Sequence, residues 1–214
     1  ILLFIMKKII FAIIFIPSTL FAEQTVINSY NDAKYNYFYT KLYVNNIGDS
    51  LYCGIQRPIL VGGGRSIEHV MPASWLAQHF GCNNRDCNKS NYRHAEADLH
   101  NLWIAVRNIN SSRSNFIFGE IKGENRFDYC PTYERTYNSK FNIVEPRDSV
   151  KGDIARSLLY MNAEYGVTLK GMLLMLEEWS RLDPPDEHEN WRNERINQLQ
   201  GTRNKFIDDY IYIK

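Results

Sequence analysis

The sequence predicts an α+β fold, a mainly helical single domain carrying a short extended unit, on three observations. The chain has 214 residues, long enough to bury one real core and short for two. Its last third shows apolar stripes at helical spacing, each closed by glycine or proline. Its middle holds IEHVMPASW, residues 67–75, an extended run that Pro72 brings to a stop. Hydrophobic residues make up 44% and charged ones 23%, a balance that rules out general disorder.

Lys7 and Lys8 precede an apolar run over residues 9–16, followed by Pro17, Ser18 and Ala22. This is the grammar of a secretory signal, too short and too one-sidedly charged to read as a membrane span. Residues 1–22 are therefore expected to be a leader cleaved near Ala22, and residues 23–214 the domain. Met6 is the natural start of such a leader, and Ile1 to Ile5 are expected to be upstream reading frame, the alternative being a retained N-terminal anchor. Losing the leader removes two lysines and turns 25 basic against 24 acidic residues into 23 against 24. Net charge thus announces no nucleic-acid partner, although the stretch from Arg65 to Arg113 is mildly basic.

Behind the leader, Tyr30, Ala33, Tyr37 and Leu42 recur at near-helical spacing after Ser29, a candidate N-cap, and predict a core helix ending before Gly48. Residues 49–61 read as a strand closing on the glycines at 62–64. Residues 80–93 have turn residues and no apolar period and are expected to be a long loop. Leu102, Val106 and Ile109 share a helical face, so a helix is expected there. Residues 119–147, with Gly123, Pro131 and Pro146, read as an irregular surface excursion. Ile154, Leu158 and Met161 then form a helical stripe that Gly166 ends; Thr168 caps a second helix, stopped by Pro184 and Pro185. Asp186 opens a third that closes at Gly201, with Trp191, Arg195 and Leu199 along one side and its charged face in solvent.

The four cysteines are an even number in a chain expected to be exported, where disulfides are the default. Of three connectivities, the local pair Cys82 with Cys87 leaves Cys53 with Cys130. The competing reading is zinc on Cys82, Cys87, His94 and His100, against which the spacing argues.

Chemistry is concentrated at Glu68 and His69. Neighbours on a strand face opposite ways, so the two serve one site only where the chain kinks or where one acts through a metal-bound water. Histidine is the commonest general base and a carboxylate a hard ligand for Mg²⁺ or Ca²⁺, so the pair suggests metal-assisted attack by water. By itself an EH dipeptide is more often a hydrogen-bonded interior histidine beside a surface acid. Glu96, Asp98 and His100 form a second polar cluster: Glu96 is a candidate site carboxylate, Asp98 and His100 structural hydrogen-bonding groups, and Asn101 a residue that could orient the loop carrying His69. His79, His94 and His188 carry no assignment.

EHVMPASW, EADLHNL, VRNINSSRSNF, KGDIARSLLYM and NERINQLQGTRNKFID, in that order, resemble the endonuclease I family of secreted and periplasmic bacterial nucleases, from about Tyr30 to Asp208. The resemblance implies a ββα-metal (His-Me finger) core within the helical domain and one divalent ion, Mg²⁺ or else Mn²⁺ or Ca²⁺. It implies His69 as general base, Glu68 and Asn110 as the metal's protein ligands, and Arg85 as the arginine on the scissile phosphate, with Arg93 and Arg113 as alternatives. An asparagine carbonyl suits such an ion without adding charge. The expected function is sequence-nonspecific hydrolysis of DNA, with RNA as a second substrate, leaving 5′-phosphate ends. The expected protein is periplasmic or secreted, monomeric, and not stably membrane-associated once its leader is removed. The alternatives are a secreted nucleic-acid-binding protein without catalysis and a zinc-stabilised module. Departures from the family are four cysteines where many relatives have eight, Lys205 in place of a common proline, and residues 122–147, which have no match.

Overall fold

The computed structural model describes residues 23–44, 49–55, 64–121, 126–127, 130–135 and 143–210. The expected leader lies outside them. Around β1 (Arg65–His69) and β2 (Leu102–Val106) the chain builds two cores, one on each face of this antiparallel pair. Ile67, Leu102 and Ile104 pack with Phe38, Leu42 and Ile196, while Trp103 and Ala105 pack with Leu76, Ile154, Leu158 and Trp179. Every residue of β2 is buried, and the helix expected from Leu102, Val106 and Ile109 forms only over Arg107–Arg113, which holds Ile109. A strand covered on both faces loses its alternation and imitates any apolar period.

Ser29 caps α1 (Tyr30–Asp32) by accepting from the Asp32 N–H at 3.2 Å, as expected, and the helix continues as a π-helical segment, Ala33–Leu42. The strand expected over residues 49–61 does not form in its described part: residues 51–53 make a turn and residues 56–63 lie outside the described set. After β1 come α2 (Ala73–His79) and the loop to α3 (Ser90–Glu96), a short helix that begins inside the expected long loop and runs past its end. Its apolar contributions, Tyr92 and Ala95, are too few to give a period. A 3₁₀ turn, Leu99–Asn101, leads into β2, which runs directly into α4 (Arg107–Arg113).

The supposed surface excursion is a second sheet of β3 (Ile117–Phe118), β4 (Arg126–Phe127), β5 (Cys130–Arg135) and β6 (Ile143–Glu145), in the order β3-β6-β5-β4. Phe118 and Val144 carry it into the core. The central helix α5 (Lys151–Tyr165) ends at Gly166 in the left-handed region, φ 68°, as the glycine predicts. Thr168 does not cap α6 (Leu173–Leu182), which starts later; its hydroxyl holds the Lys170 N–H in the preceding turn at 3.3 Å.

Asp186 caps α7 (Glu187–Gln200) and Gly201 closes it, both as expected, and α8 (Lys205–Asp208) follows. The buried face of α7 is polar, however. Glu189, Arg192, Asn193 and Gln200 turn inward with Ile196, while Trp191 is 49% exposed. Inside, Glu189 receives the Arg156 guanidinium, and Gln200 accepts from the Leu99 N–H at 2.9 Å and donates to Asp98 at 2.8 Å. Such burial is tolerated because every group is paired. Among the described residues no helix is long and apolar enough to cross a membrane.

Candidate active site

β1 ends in a turn that several side chains hold at once. Asn101 accepts from the Met71 N–H at 2.6 Å and donates to the Met71 carbonyl at 3.0 Å, while its own carbonyl takes the Val70 N–H at 3.1 Å. Arg113, at the end of α4, donates to the carbonyls of His69 at 3.1 Å and Val70 at 2.6 Å. Asn101 thus orients the turn after His69, as expected. Because the strand bends there, Glu68 and His69 both reach a pocket of about 340 Å³ lined by Asn110, Arg85, Ser74 and Asn115 among others.

Glu68 is 2% exposed. Its Oε1 accepts from the Tyr52 hydroxyl at 2.7 Å and pairs with Arg113 at 3.1 Å. Burial pushes its pKa up, and Arg113 and Tyr52 pull it down. Arg113 is itself buried, with both terminal nitrogens engaged by Glu68 and the turn, so it is not available to clamp a phosphate.

His69 Nε2 lies 3.0 Å from the Glu96 carbonyl oxygen. A carbonyl only accepts, so Nε2 carries the proton; Nδ1 of the neutral ring holds the lone pair. Burial first, then the positive charge of Arg85, depresses the pKa to about 3. The ring rests against Tyr30, centroids 4.9 Å apart.

Asn110 donates through Nδ2 to the Ser66 hydroxyl at 3.0 Å and the Ile67 carbonyl at 2.8 Å. Two acceptors on the amino end fix the amide, and Oδ1 is the end left for the pocket. Glu68 and Asn110 are two hard oxygen donors with one negative charge between them, a set that fits Mg²⁺ or a similar ion with open positions for water and phosphate. Among the described residues there is no group of three or more His, Cys, Asp or Glu fit to hold a metal.

Arg85 stands between two pockets. Its side chain is 57% exposed and lies 3.5 Å from Glu96 Oε1. It lines both the His69 pocket and a neighbouring opening of about 580 Å³ with Arg93, Asp86 and Tyr30. The Glu96 carboxylate faces that neighbour, held by the Tyr92 hydroxyl at 2.9 Å, so Glu96 meets His69 through its main chain and not through its acid. Arg93 likewise lines only the second opening.

Cys82 and Cys87 are bonded across the Arg85 loop. Cys53 is also disulfide-bonded, and the side chain of Cys130, its expected partner, lies outside the described residues. The bonded sulfurs exclude the zinc reading on Cys82 and Cys87, and the two histidines it needed are engaged elsewhere. His94 meets Asn28 at 3.3 Å and His100 donates to the Thr202 carbonyl at 3.2 Å. Asp98 is structural as expected, accepting from Tyr160, Tyr165, Gln200 and the His100 N–H. Sequence reasoning does not find Tyr52, which nothing in its neighbours marks.

Fold and pocket together define a disulfide-braced α+β protein whose β1-β2-α4 unit brings a neutral histidine, a buried carboxylate and an amide oxygen to one opening. The chain belongs to the endonuclease I family, whose model matches residues 19–210. It is 36% identical over 149 residues to an extracellular deoxyribonuclease of Aeromonas hydrophila, covering 66% of this chain and 64% of that protein. It is 34% identical over 148 residues to a periplasmic deoxyribonuclease of the same organism, covering 66% and 62%. To Endonuclease-1 of Buchnera aphidicola subsp. Acyrthosiphon pisum (strain APS) it is 32% identical over 154 residues, covering 69% and 60%. The matches thus span a little under two thirds of these relatives' lengths.

Proposed function

We propose that the chain is a periplasmic or secreted endonuclease that hydrolyses phosphodiester bonds in DNA, and in RNA as a second substrate, without reading sequence. The observation that carries this reading is the state of His69: Nε2 anchored on the Glu96 carbonyl and Nδ1 unprotonated in a pocket shared with Glu68 and Asn110. Family membership and the relatives named deoxyribonucleases support the substrate. The chain is taken to work as a monomer after loss of residues 1–22, with the β1-β2-α4 unit as a ββα-metal core.

Glu68 and Asn110 would hold one divalent ion, Mg²⁺ or else Mn²⁺ or Ca²⁺, which when bound supplies a Lewis acid for the charge that develops on the phosphate. Nδ1 of His69 takes the proton of the attacking water as its oxygen bonds to phosphorus, and the Glu96 carbonyl steadies the imidazolium through Nε2–H. Arg85 holds a non-bridging phosphate oxygen. The bond to the 3′ oxygen breaks, that oxygen takes a proton from solvent water, and the phosphate stays on the 5′ end. Contacts to phosphate and not to base edges make the cut indifferent to sequence.

The purified protein should nick plasmid DNA with Mg²⁺ and stop with a chelator, and His69→Ala should lose about 10²–10⁴-fold in rate. A folded His69→Ala variant with full activity sinks the base assignment. DNA retarded on a gel but never nicked would leave a binding protein instead.

A further inference from the structure

Two cations that the mechanism leaves unused meet at the far end of β1. Arg65 opens that strand and Arg107 opens α4, and Arg107 Nη2 donates to the Arg65 carbonyl at 3.4 Å. The Arg65 guanidinium lies over the Tyr39 ring, 4.2 Å from its centroid. Tyr39 is half-buried, and the charges acting on its hydroxyl include both arginines and no carboxylate. Among the described residues neither guanidinium has an ion-pair partner. An arginine laid on a tyrosine has already lost much of its rotamer freedom, and two unpaired cations side by side are relieved by an anion.

This patch is tied to the pocket. Ser66, the neighbour of Arg65, accepts from the amide of Asn110 at 3.0 Å, and Arg107 precedes Asn110 by about one helical turn. At ~3.3 Å per residue, β1 carries Arg65 roughly 13 Å from His69. A stacked strand rises ~3.4 Å per nucleotide along the helix axis, and because the backbone winds about that axis successive phosphates lie roughly twice as far apart through space, so that distance spans about two of them.

We propose that Arg65, seated on Tyr39, and its neighbour Arg107 form a second phosphate-binding subsite that grips the backbone roughly two phosphates from the scissile bond. The proposal rests on the nuclease reading above. Two variants test it, R65Q/R107Q and the charge-conserving R65K/R107K. With chelator present, the affinity of wild type for a duplex oligonucleotide is measured against salt. The glutamine pair should flatten the log–log slope by about 1.8, and the lysine pair should keep it.

In Mg²⁺, oligonucleotides of increasing length are then cut. For wild type KM should fall once about two nucleotides extend past the cut. In R65Q/R107Q that fall should vanish, while kcat and hydrolysis of the minimal diester bis(p-nitrophenyl) phosphate stay unchanged. Should the double variant not fold, R65Q and R107Q alone should each flatten the slope by about 0.9. Unchanged slope and length dependence in folded variants overturn the subsite alone. A wild type that neither binds nor cuts overturns the nuclease reading.

Discussion

Arg113 sets the charge balance of the pocket. It is buried against a buried Glu68, 3.1 Å away, and holds two carbonyls of the adjoining turn. Removing one partner of such a pair strands the other charge, so Arg113→Met should cost about 3–5 kcal/mol in urea unfolding. Adding Glu68→Gln should return most of it; no recovery would count against the pair as the cause. Asn110→Ala, in contrast, should cost only the two hydrogen bonds of its amide, about 1 kcal/mol each, and raise the Mg²⁺ needed for half-maximal nicking by about tenfold or more, read from activity against free metal. The roles proposed for Glu68, His69 and Asn110 were legible because they sit in linear motifs. The contribution of Glu96 to His69 was not, because it comes from a carbonyl, and every residue has one.

At the scale of elements, the loop between Cys82 and Cys87 does two things at once. Closing so few residues stabilises the fold by about 2 kcal/mol in the chain-entropy picture, and it fixes the segment from which Arg85 reaches two pockets. Cys82→Ser with Cys87→Ser should therefore lower the urea midpoint modestly and raise KM more than it lowers kcat. An equal fall in kcat with unchanged KM would place Arg85 elsewhere. Elements with a one-sided stripe and explicit ends, α5 and the caps of α7, could be read from sequence because stripe and cap are both local signals. β2 could not, since burial on both faces erased its alternation, nor could β3 and β6, whose pairing is made across twenty-five residues. The inward face of α7 escaped for a different reason: its charged residues are buried by partners distant in sequence, and no periodicity announces that.

For the molecule as a whole, His100 links acid stability to the joint between α7 and the β1-β2-α4 unit. Its Nε2–H is donated to the Thr202 carbonyl, and burial depresses its pKa to about 4. The unfolded chain takes up that proton near pH 6.5 while the fold refuses it. This contribution to stability is therefore whole above about pH 6.5 and declines as pH falls toward 4, by about 2 kcal/mol at pH 5. Comparing denaturant unfolding at pH 7.5 and pH 5, His100→Gln should lose about 2 kcal/mol less than wild type. An identical loss in the two proteins would move the acid sensitivity to other groups.

The polar face of α7 also bears on the pocket. Arg192 donates to the carbonyls of Leu99 and Leu102, and Gln200 to Asp98, bracketing Asn101, whose amide shapes the turn beside His69. Residues encoded a hundred positions downstream thus finish a geometry begun at β1. A chain ending before Glu187 would carry all the pocket residues and lack the side chains that hold the turn beside Asn101, so the pocket depends on residues far downstream of those that line it.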